Sequence, residues 1–468
     1  MPDLPVLSSP LARRRLLLGA GAALGTTVGL GLARGAAAAV GNRRPRRPNV
    51  LWIITDDQPR DTLPEMPRVW ERLVRGGARF TRGNVSVPLC GPSRASMLTS
   101  MYVHNHHCET NDTMPMFNAQ GLDQDTVGTR MTDAGYACGF FGKYMNGYHD
   151  QTYVAPGWQR WVISLGTVSH EVNVDGRVGT TDLHVDEFAT RHLNRWLRDR
   201  AADPAPWFAV FAPTNPHSDG SSVDSYNPSP AHAHDFDGVA WHPASFNERD
   251  MQDKPSWMHG IPFKSRSKMR AGYEGKLEEL QDVDDQVDSI LDNLAHLGML
   301  EDTWVFFVTD NGYLLGEHRV AKKEVPYEEC VGTPFVVRGP GVTPGAHPGA
   351  LVTTIDLMPT TLEIAGLDPD AVRDLDGRSL LGPLTSGDWS SWRTRMLTEH
   401  PAHKWAHLRE GRSVLIDYYE AGEQELYDMV ADPHQMESRA ATSDTTAMTA
   451  RLTALRNARG RALRALER

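Results

Sequence analysis

The chain is poor in cysteine. Only Cys90, Cys108, Cys138 and Cys330 occur among 468 residues. That excludes a scaffold built on disulfides: at most two bridges can form, and their spacing does not choose a pairing. Positive charge is also in deficit. There are 48 Lys and Arg against 59 Asp and Glu, a formal net charge of −11. A net-acidic chain gains nothing from a polyanion's field, which argues against a nucleic-acid partner. An anionic substrate stays open to it, because local groups and a metal dominate the field of a site. Beyond the first 40 residues no long apolar run, internal repeat or low-complexity tract occurs. With 40% hydrophobic and 23% charged residues, the composition is that of a soluble globular protein. The length allows two or three domains, or one large α/β domain with an appendage.

The one long apolar run lies at the start. Arg13, Arg14 and Arg15 precede a Gly- and Ala-rich stretch from Leu16 to Leu32, and small residues Ala36 to Ala39 follow. Residues 1–39 read as a signal peptide of the twin-arginine type, which exports folded proteins. The alternative is a membrane anchor, for which so much Gly and Ala is a poor composition. Residues 40–48 read as a linker. The expectation is a secreted or cell-surface protein with no stable membrane span in its mature form.

Apolar runs then alternate with helical periodicity. Asn49 to Ile54 reads as a strand covered on both faces and ends in Thr55-Asp56-Asp57. Trp207 to Ala212 leads into Thr214-Asn215-Pro216-His217, and Trp304 to Val308 leads into Thr309-Asp310-Asn311-Gly312. Pro334 to Val337 reads as a fourth strand. Helices are expected over 67–76, 125–134, 183–200 and, most clearly, 269–297, where Leu277, Leu280, Val283, Val287, Ile290, Leu291 and Leu294 share one face. This alternation predicts an α/β fold with a large, mainly parallel sheet flanked by helices. Open parallel sheets carry their ligands at the carboxyl ends of the strands. Residues 218–268 read as a long loop beside such an end. Short alternating runs (412–419 and 425–429) predict a small antiparallel sheet, followed by one helix over 443–466 capped by Ser443. The expected division is a catalytic domain over 49–375 and a smaller C-terminal subdomain over 376–468.

Chemistry concentrates in Cys90-Gly91-Pro92-Ser93-Arg94, which continues to Leu98-Thr99. Alone, it could be a buried thiol at a helix start. Its companions are oxygen donors at strand ends: Asp56, Asp57, Asp310 and Asn311. Adjacent carboxylates repel, so such a pair invites a cation. Four oxygen-bearing side chains suit a hard ion, Ca²⁺ in preference to Mg²⁺. A thiolate would be a mismatch beside that ion.

The pentapeptide resembles the signature of type I sulfatases, members of the alkaline-phosphatase-like superfamily, in which this cysteine is oxidised to formylglycine. The resemblance covers most of residues 48–435. It implies that a formylglycine-generating enzyme converts Cys90, giving an aldehyde hydrate that supplies oxygen to the metal. It also implies that residue 90 and Asp56, Asp57, Asp310 and Asn311 form the metal site, and that Arg94 orients the hydrate. Gly142-Lys143-Tyr144 is similar to the family's Gly-Lys-aromatic element, so Lys143 is expected to bind sulfate. Asn215-Pro216-His217 is similar to its Pro-His element, with His217 facing the ester oxygen. Lys323, upstream of Tyr327-Glu328-Glu329, is similar to the second sulfate lysine. There is one departure. Many sulfatases read Gly-Lys-Trp-His, and here Met145 stands where that histidine base is expected; His149 is the candidate replacement. Lys143-Tyr144-Met145-Asn146, Ala155-Pro156-Gly157-Trp158 and the stretches 244–248 and 253–255 look closest to the N-acetylglucosamine-6-sulfatase branch. That implies a sulfated small molecule or glycan as substrate. Trp158, Trp161, Trp241 and Trp257 are candidate sugar-stacking residues or core. The rival readings are a phosphonate or phosphodiester hydrolase of the same superfamily, and a non-catalytic carbohydrate-binding relative.

Overall fold

The computed structural model describes residues 47–468 apart from 167, 168 and 373. The expected signal peptide and all but the end of the expected linker lie outside the described residues. The strands in chain order are β1 (Asn49–Thr55), β2 (Ala78–Phe80), β3 (Gly83–Asn84), β4 (Ala137–Gly142), β5 (Arg160–Ser164), β6 (Glu171–Val174), β7 (Arg177–Thr180), β8 (Trp207–Ala212), β9 (Thr303–Thr309) and β10 (Phe335–Arg338). All but β3 join one nine-stranded sheet in the order β2-β10-β9-β1-β8-β4-β5-β6-β7; β3 pairs with β11 (Val352–Thr353).

The sheet is parallel only in its five central strands, β9, β1, β8, β4 and β5. At both margins it turns antiparallel, through β10 and β2 on one side and β6 and β7 on the other. "Mainly parallel" therefore holds for the centre and not for the edges. The edge strands are short and mixed in composition, so their direction is set by their connections and cannot be read from apolar runs. The centre is apolar because both faces are covered. Val50, Trp52 and Ile54 pack on one side of β1, and Leu51 and Ile53 on the other. The second layer is closed by the long helix Arg266–His296, whose Leu277, Leu280, Val283, Val287, Ile290, Leu291 and Leu294 are all buried.

The C-terminal sheet has four antiparallel strands: β12 (Arg395–His400), β13 (Trp405–Glu410), β14 (Ser413–Tyr418) and β15 (Glu423–Asp428). One face (Leu397, Ala406, Leu408, Leu415) receives Leu452, Leu455 and Leu463 from the final helices. The other (Trp405, Val414, Ile416, Tyr427) packs on Leu314, Val325 and Tyr327, and residues 46–468 form one compact unit. The single expected helix over 443–466 is two, Thr446–Arg456 and Gly460–Leu466. The interruption falls at residues 457–459, where Arg459 is extended at φ −146°, and Gly460, at φ +56°, opens the second helix. The first begins after Thr445, and Ser443 does not cap it. All four cysteines are buried and free. No helix among the described residues is long and apolar enough to cross a membrane.

Candidate active site

Four parallel strands end on one edge, and each hands a polar segment to the same place. The register Thr55↔Thr309 sets Asp56 and Asp57 beside Asp310 and Asn311. The register Gly142↔Ala212 brings Lys143 next to the Asn215–His217 segment. Gly142 is required at this turn: its φ is +112°, and a Cβ would lie 2.0 Å from the Ala212 carbonyl oxygen. From below, the helix Cys90–Thr99 presents its first residue to the cluster. A helix N-terminus favours negative charge. Gly91 allows the close seating, since a methyl there would meet Thr113 Oγ1 at 2.0 Å. The Gly91 N–H donates to Asn111 Oδ1 at 3.0 Å.

Cys90 Sγ lies 3.2 Å from Asp56 Oδ1 and 3.9 Å from Asp57 Oδ1. Lys323 Nζ donates to both Cys90 Sγ and Asp57 Oδ1, each at 2.7 Å. Lys143 donates to Asp56. Arg94 donates through Nε to Asp310 Oδ2 at 2.8 Å and through a terminal nitrogen to the Lys143 carbonyl at 2.5 Å. Asn311 Nδ2 donates to Asp57 Oδ1 at 2.5 Å. His217 Nε2 stands 3.6 Å from Asp57 Oδ2 with its side chain 23% exposed. Ligand atoms of Asp56, Asp57, Cys90 and His217 all fall within 4.8 Å of one another. A cavity of about 330 Å³ opens beside Lys143 and His217, lined also by Met145, Tyr148 and Ser164.

Burial would raise the pKa of Asp56, but Lys143, His217, Arg94 and Lys323 overcome it and hold the carboxyl well below the usual range. Asp57 is lowered against the same burial by Lys323 and His217. Burial, with Asp310 and Asp56 behind it, pushes the Cys90 thiol well above its ordinary value. That shift disfavours the thiolate, the form in which a cysteine attacks or binds a metal.

The structure brings together nine of the ten expected residues: Asp56, Asp57, Cys90, Arg94, Lys143, His217, Asp310, Asn311 and Lys323. His149 is not among them. Its side chain is 72% exposed and pairs with Asp112 at 2.7 Å, because the chain turns outward at Gly147, φ +77°. Met145, in the position of the expected base, is buried and lines the cavity. Of the four tryptophans, Trp158, Trp161 and Trp241 are core, and only Trp257 is exposed, at 42%. One residue was not anticipated. Lys276 lies buried on the apolar face of the long helix and donates to the carbonyls of Asp57 and Pro216, both at 2.9 Å. It braces Asp57 in its left-handed backbone, φ +62°. Burial lowers its pKa to about 8 although Asp57 and Glu279 oppose that shift. A lysine at an apolar helical phase was the available signal.

Comparison with known proteins agrees with this geometry. A model of the N-sulphoglucosamine sulphohydrolase C-terminal region matches residues 316–459. An extracellular sulfatase SULF-1 homolog from Drosophila melanogaster is 32% identical over 364 residues, covering 73% of this chain. The chain spans only 32% of that relative's own length. Human N-acetylglucosamine-6-sulfatase is 28% identical, over 79% of this chain and 69% of its own. A solved structure in complex with its substrate D-glucosamine-2-N,6-O-disulfate superposes with a TM-score of 0.75 at 22% identity, covering 87% of this chain and 96% of that one. The sulfatase family model itself matches residues 48–367, from the first strand through the whole edge that carries the cluster, and on that match the chain belongs to the sulfatase family.

Proposed function

We propose that this chain hydrolyses sulfate esters of a glucosamine-containing glycan, with residue 90 as nucleophile and one divalent cation beside it. The carrying observation is the convergence of Asp56, Asp57, Cys90 and Lys323 in one buried centre at the sheet edge.

The donor set fits a hard cation. Carboxylates from two strand ends converge, and the buried Asn311 Oδ1 has no hydrogen-bond partner, as expected of a ligand oxygen. Asp56, Asp57, Asp310 and Asn311 would hold the ion, Ca²⁺ in preference to Mg²⁺; when bound it would supply positive charge that polarises the nucleophile and the sulfate oxygens. Thiol sulfur suits such an ion poorly. Conversion of Cys90 to formylglycine, by a formylglycine-generating enzyme, and hydration would supply two hydroxyls on one carbon, one to attack sulfur and one whose deprotonation expels sulfate. Lys143 and Lys323 would grip the sulfate oxygens, with Arg94 held rigid by Asp310 and the Lys143 carbonyl. His217, at the mouth of the cavity, would pass a proton to the departing alcohol with Lys323.

The substrate class rests on the human relative's name and on the disulfated glucosamine held by the solved neighbour. The fly relative is named extracellular, which supports secretion here too, with residues 13–32 as a twin-arginine export segment.

The test begins with protein whose residue-90 peptide is lighter by mass spectrometry than the cysteine form. It is screened for sulfate release from sulfated glucosamines and aryl sulfates, beside an aryl phosphodiester. Sulfate release from a sulfated glucosamine is expected. Preference for the phosphodiester would reassign the enzyme. A folded, modified protein that cleaves nothing would leave a binding protein and end the proposal.

A further inference from the structure

A second group of ligand-type side chains lies immediately behind the first. Glu324 follows Lys323 in sequence, yet the two side chains serve different clusters. Lys323 reaches Cys90 and Asp57. Glu324 Oε1 lies 3.7 Å from His400 Nε2 and 3.5 Å from His403 Nε2. One ligand atom from each of the three residues falls within 4.8 Å of the other two. The histidines come from the end of β12 and the turn Pro401–His403.

His400 is the unexplained member. Its residue is 1% exposed, and neither ring nitrogen has a hydrogen-bond partner. A buried imidazole is normally satisfied. Here its Nε2 faces the same carboxylate oxygen as His403 Nε2, at separations too long for hydrogen bonds and close to those of ligands around one ion. Zinc–ligand bonds of about 2.0–2.1 Å at tetrahedral angles put donor atoms roughly 3.4 Å apart. Two imidazoles and one carboxylate suit a borderline cation rather than a hard one.

We propose that Glu324, His400 and His403 bind a second divalent ion of the Zn²⁺ class, distinct from the oxygen-ligated centre at Asp56, Asp57, Asp310 and Asn311. A cavity of about 360 Å³ lined by Glu324, His403, Trp257, Lys322 and Tyr418 adjoins the group, which leaves room for water as a further ligand. The ion acts as a clip. Glu324 sits in left-handed backbone, φ +72°, with its N–H on the Pro88 carbonyl at 3.2 Å and its own carbonyl accepting from Trp405 Nε1 at 3.1 Å. Tying its side chain to β12 fixes the segment that carries Lys323 against the C-terminal sheet.

Isothermal titration of the full mature chain, saturated with Ca²⁺ and then titrated with ZnCl₂, tests this. One Zn²⁺ per chain is expected, together with a rise in melting temperature. Co²⁺ in its place should give the strong visible absorption of a four-coordinate site. Glu324→Gln and His403→Ala should each weaken Zn²⁺ binding by at least about 100-fold and abolish the thermal shift. Their near-ultraviolet circular dichroism reports folding, and His403 is chosen because its side chain is 45% exposed. Asp310→Asn, at the first centre, should keep the Zn²⁺ signal. The clip is overturned if the Ca²⁺-saturated chain takes up no Zn²⁺, or if both folded variants bind it undiminished.

Discussion

Around Arg393 and around Cys90 the chain buries ionic side chains to similar depth but joins them differently. Arg393 gives its two terminal nitrogens to Asp356 at 2.6 and 2.7 Å and its Nε to Glu467 at 3.1 Å. Arg378 adds a 2.9 Å bond to the same Glu467. Two cations meet two anions, and the backbone N–H groups of Thr353 and Arg378 steady Asp356 further. At the sheet edge, three aspartates are pressed together. Lys143, Lys323 and Arg94 lean on their carboxylates, and Lys276 holds the Asp57 carbonyl. Asn311 Oδ1 and one Arg94 nitrogen there lack a hydrogen-bond partner, as Glu467 Oε1 does in the first cluster. The first arrangement is balanced and holds three chain segments together. The second crowds three carboxylates at one sheet edge, as binding sites do.

Substitutions can break or sharpen that contrast. The largest effect is expected from Cys90→Ser. Steady turnover should fall at least ~10⁴-fold after one event, while the melting temperature stays within about 2 °C. Repeated turnover by that variant would remove the need for a second hydroxyl. Arg393→Ala should do the opposite, costing about 3–5 kcal/mol of stability in urea unfolding because it strands buried carboxylates, with kcat per folded molecule unchanged. An equal loss of kcat would blur the two classes.

Glu328 sharpens the balanced type. It sits between Arg409 at 2.7 Å and Arg60 at 3.0 Å. Burial would raise its pKa, but Arg409 and Arg60 draw it from 4.5 down to about 2. A depressed carboxyl stabilises fully above its unfolded value, and that contribution fades as pH falls from 4.5 towards 2. Glu328→Gln should therefore cost about 3 kcal/mol at pH 7 and progressively less in acid, read by urea titrations across that range. His149→Ala should change least, less than about twofold in kcat/KM, since the ring pairs on the surface with Asp112.

Much of this was legible in advance. Three strand ends and the Cys90 pentapeptide carried seven of the clustered residues, because apolar runs end where polar chemistry starts; Lys143 and Lys323 came only from the resemblance to the family. Strands β4 and β5 were not legible: Gly139 and Gly142 interrupt one apolar run and the other spans only Arg160–Ser164. The direction of β10 depends on its partners β9 and β2, which sequence does not reveal. Lys276 acts across 219 residues of chain, a separation no local pattern encodes. His149 was chosen by nearness in sequence, and one glycine turn carries it away from the chemistry.

The seating of the Cys90–Thr99 helix sets a deadline. Residue 90 has no exposed surface, and Gly91 is wedged against Thr113 with no slack. Any enzyme that oxidises this thiol must meet the polypeptide before the helix docks. Oxidation and folding then run as a race, and a molecule that folds first is sealed in its thiol form. Under the proposed mechanism, a cell that makes this chain faster than it can oxidise it would fill with well-folded, silent protein.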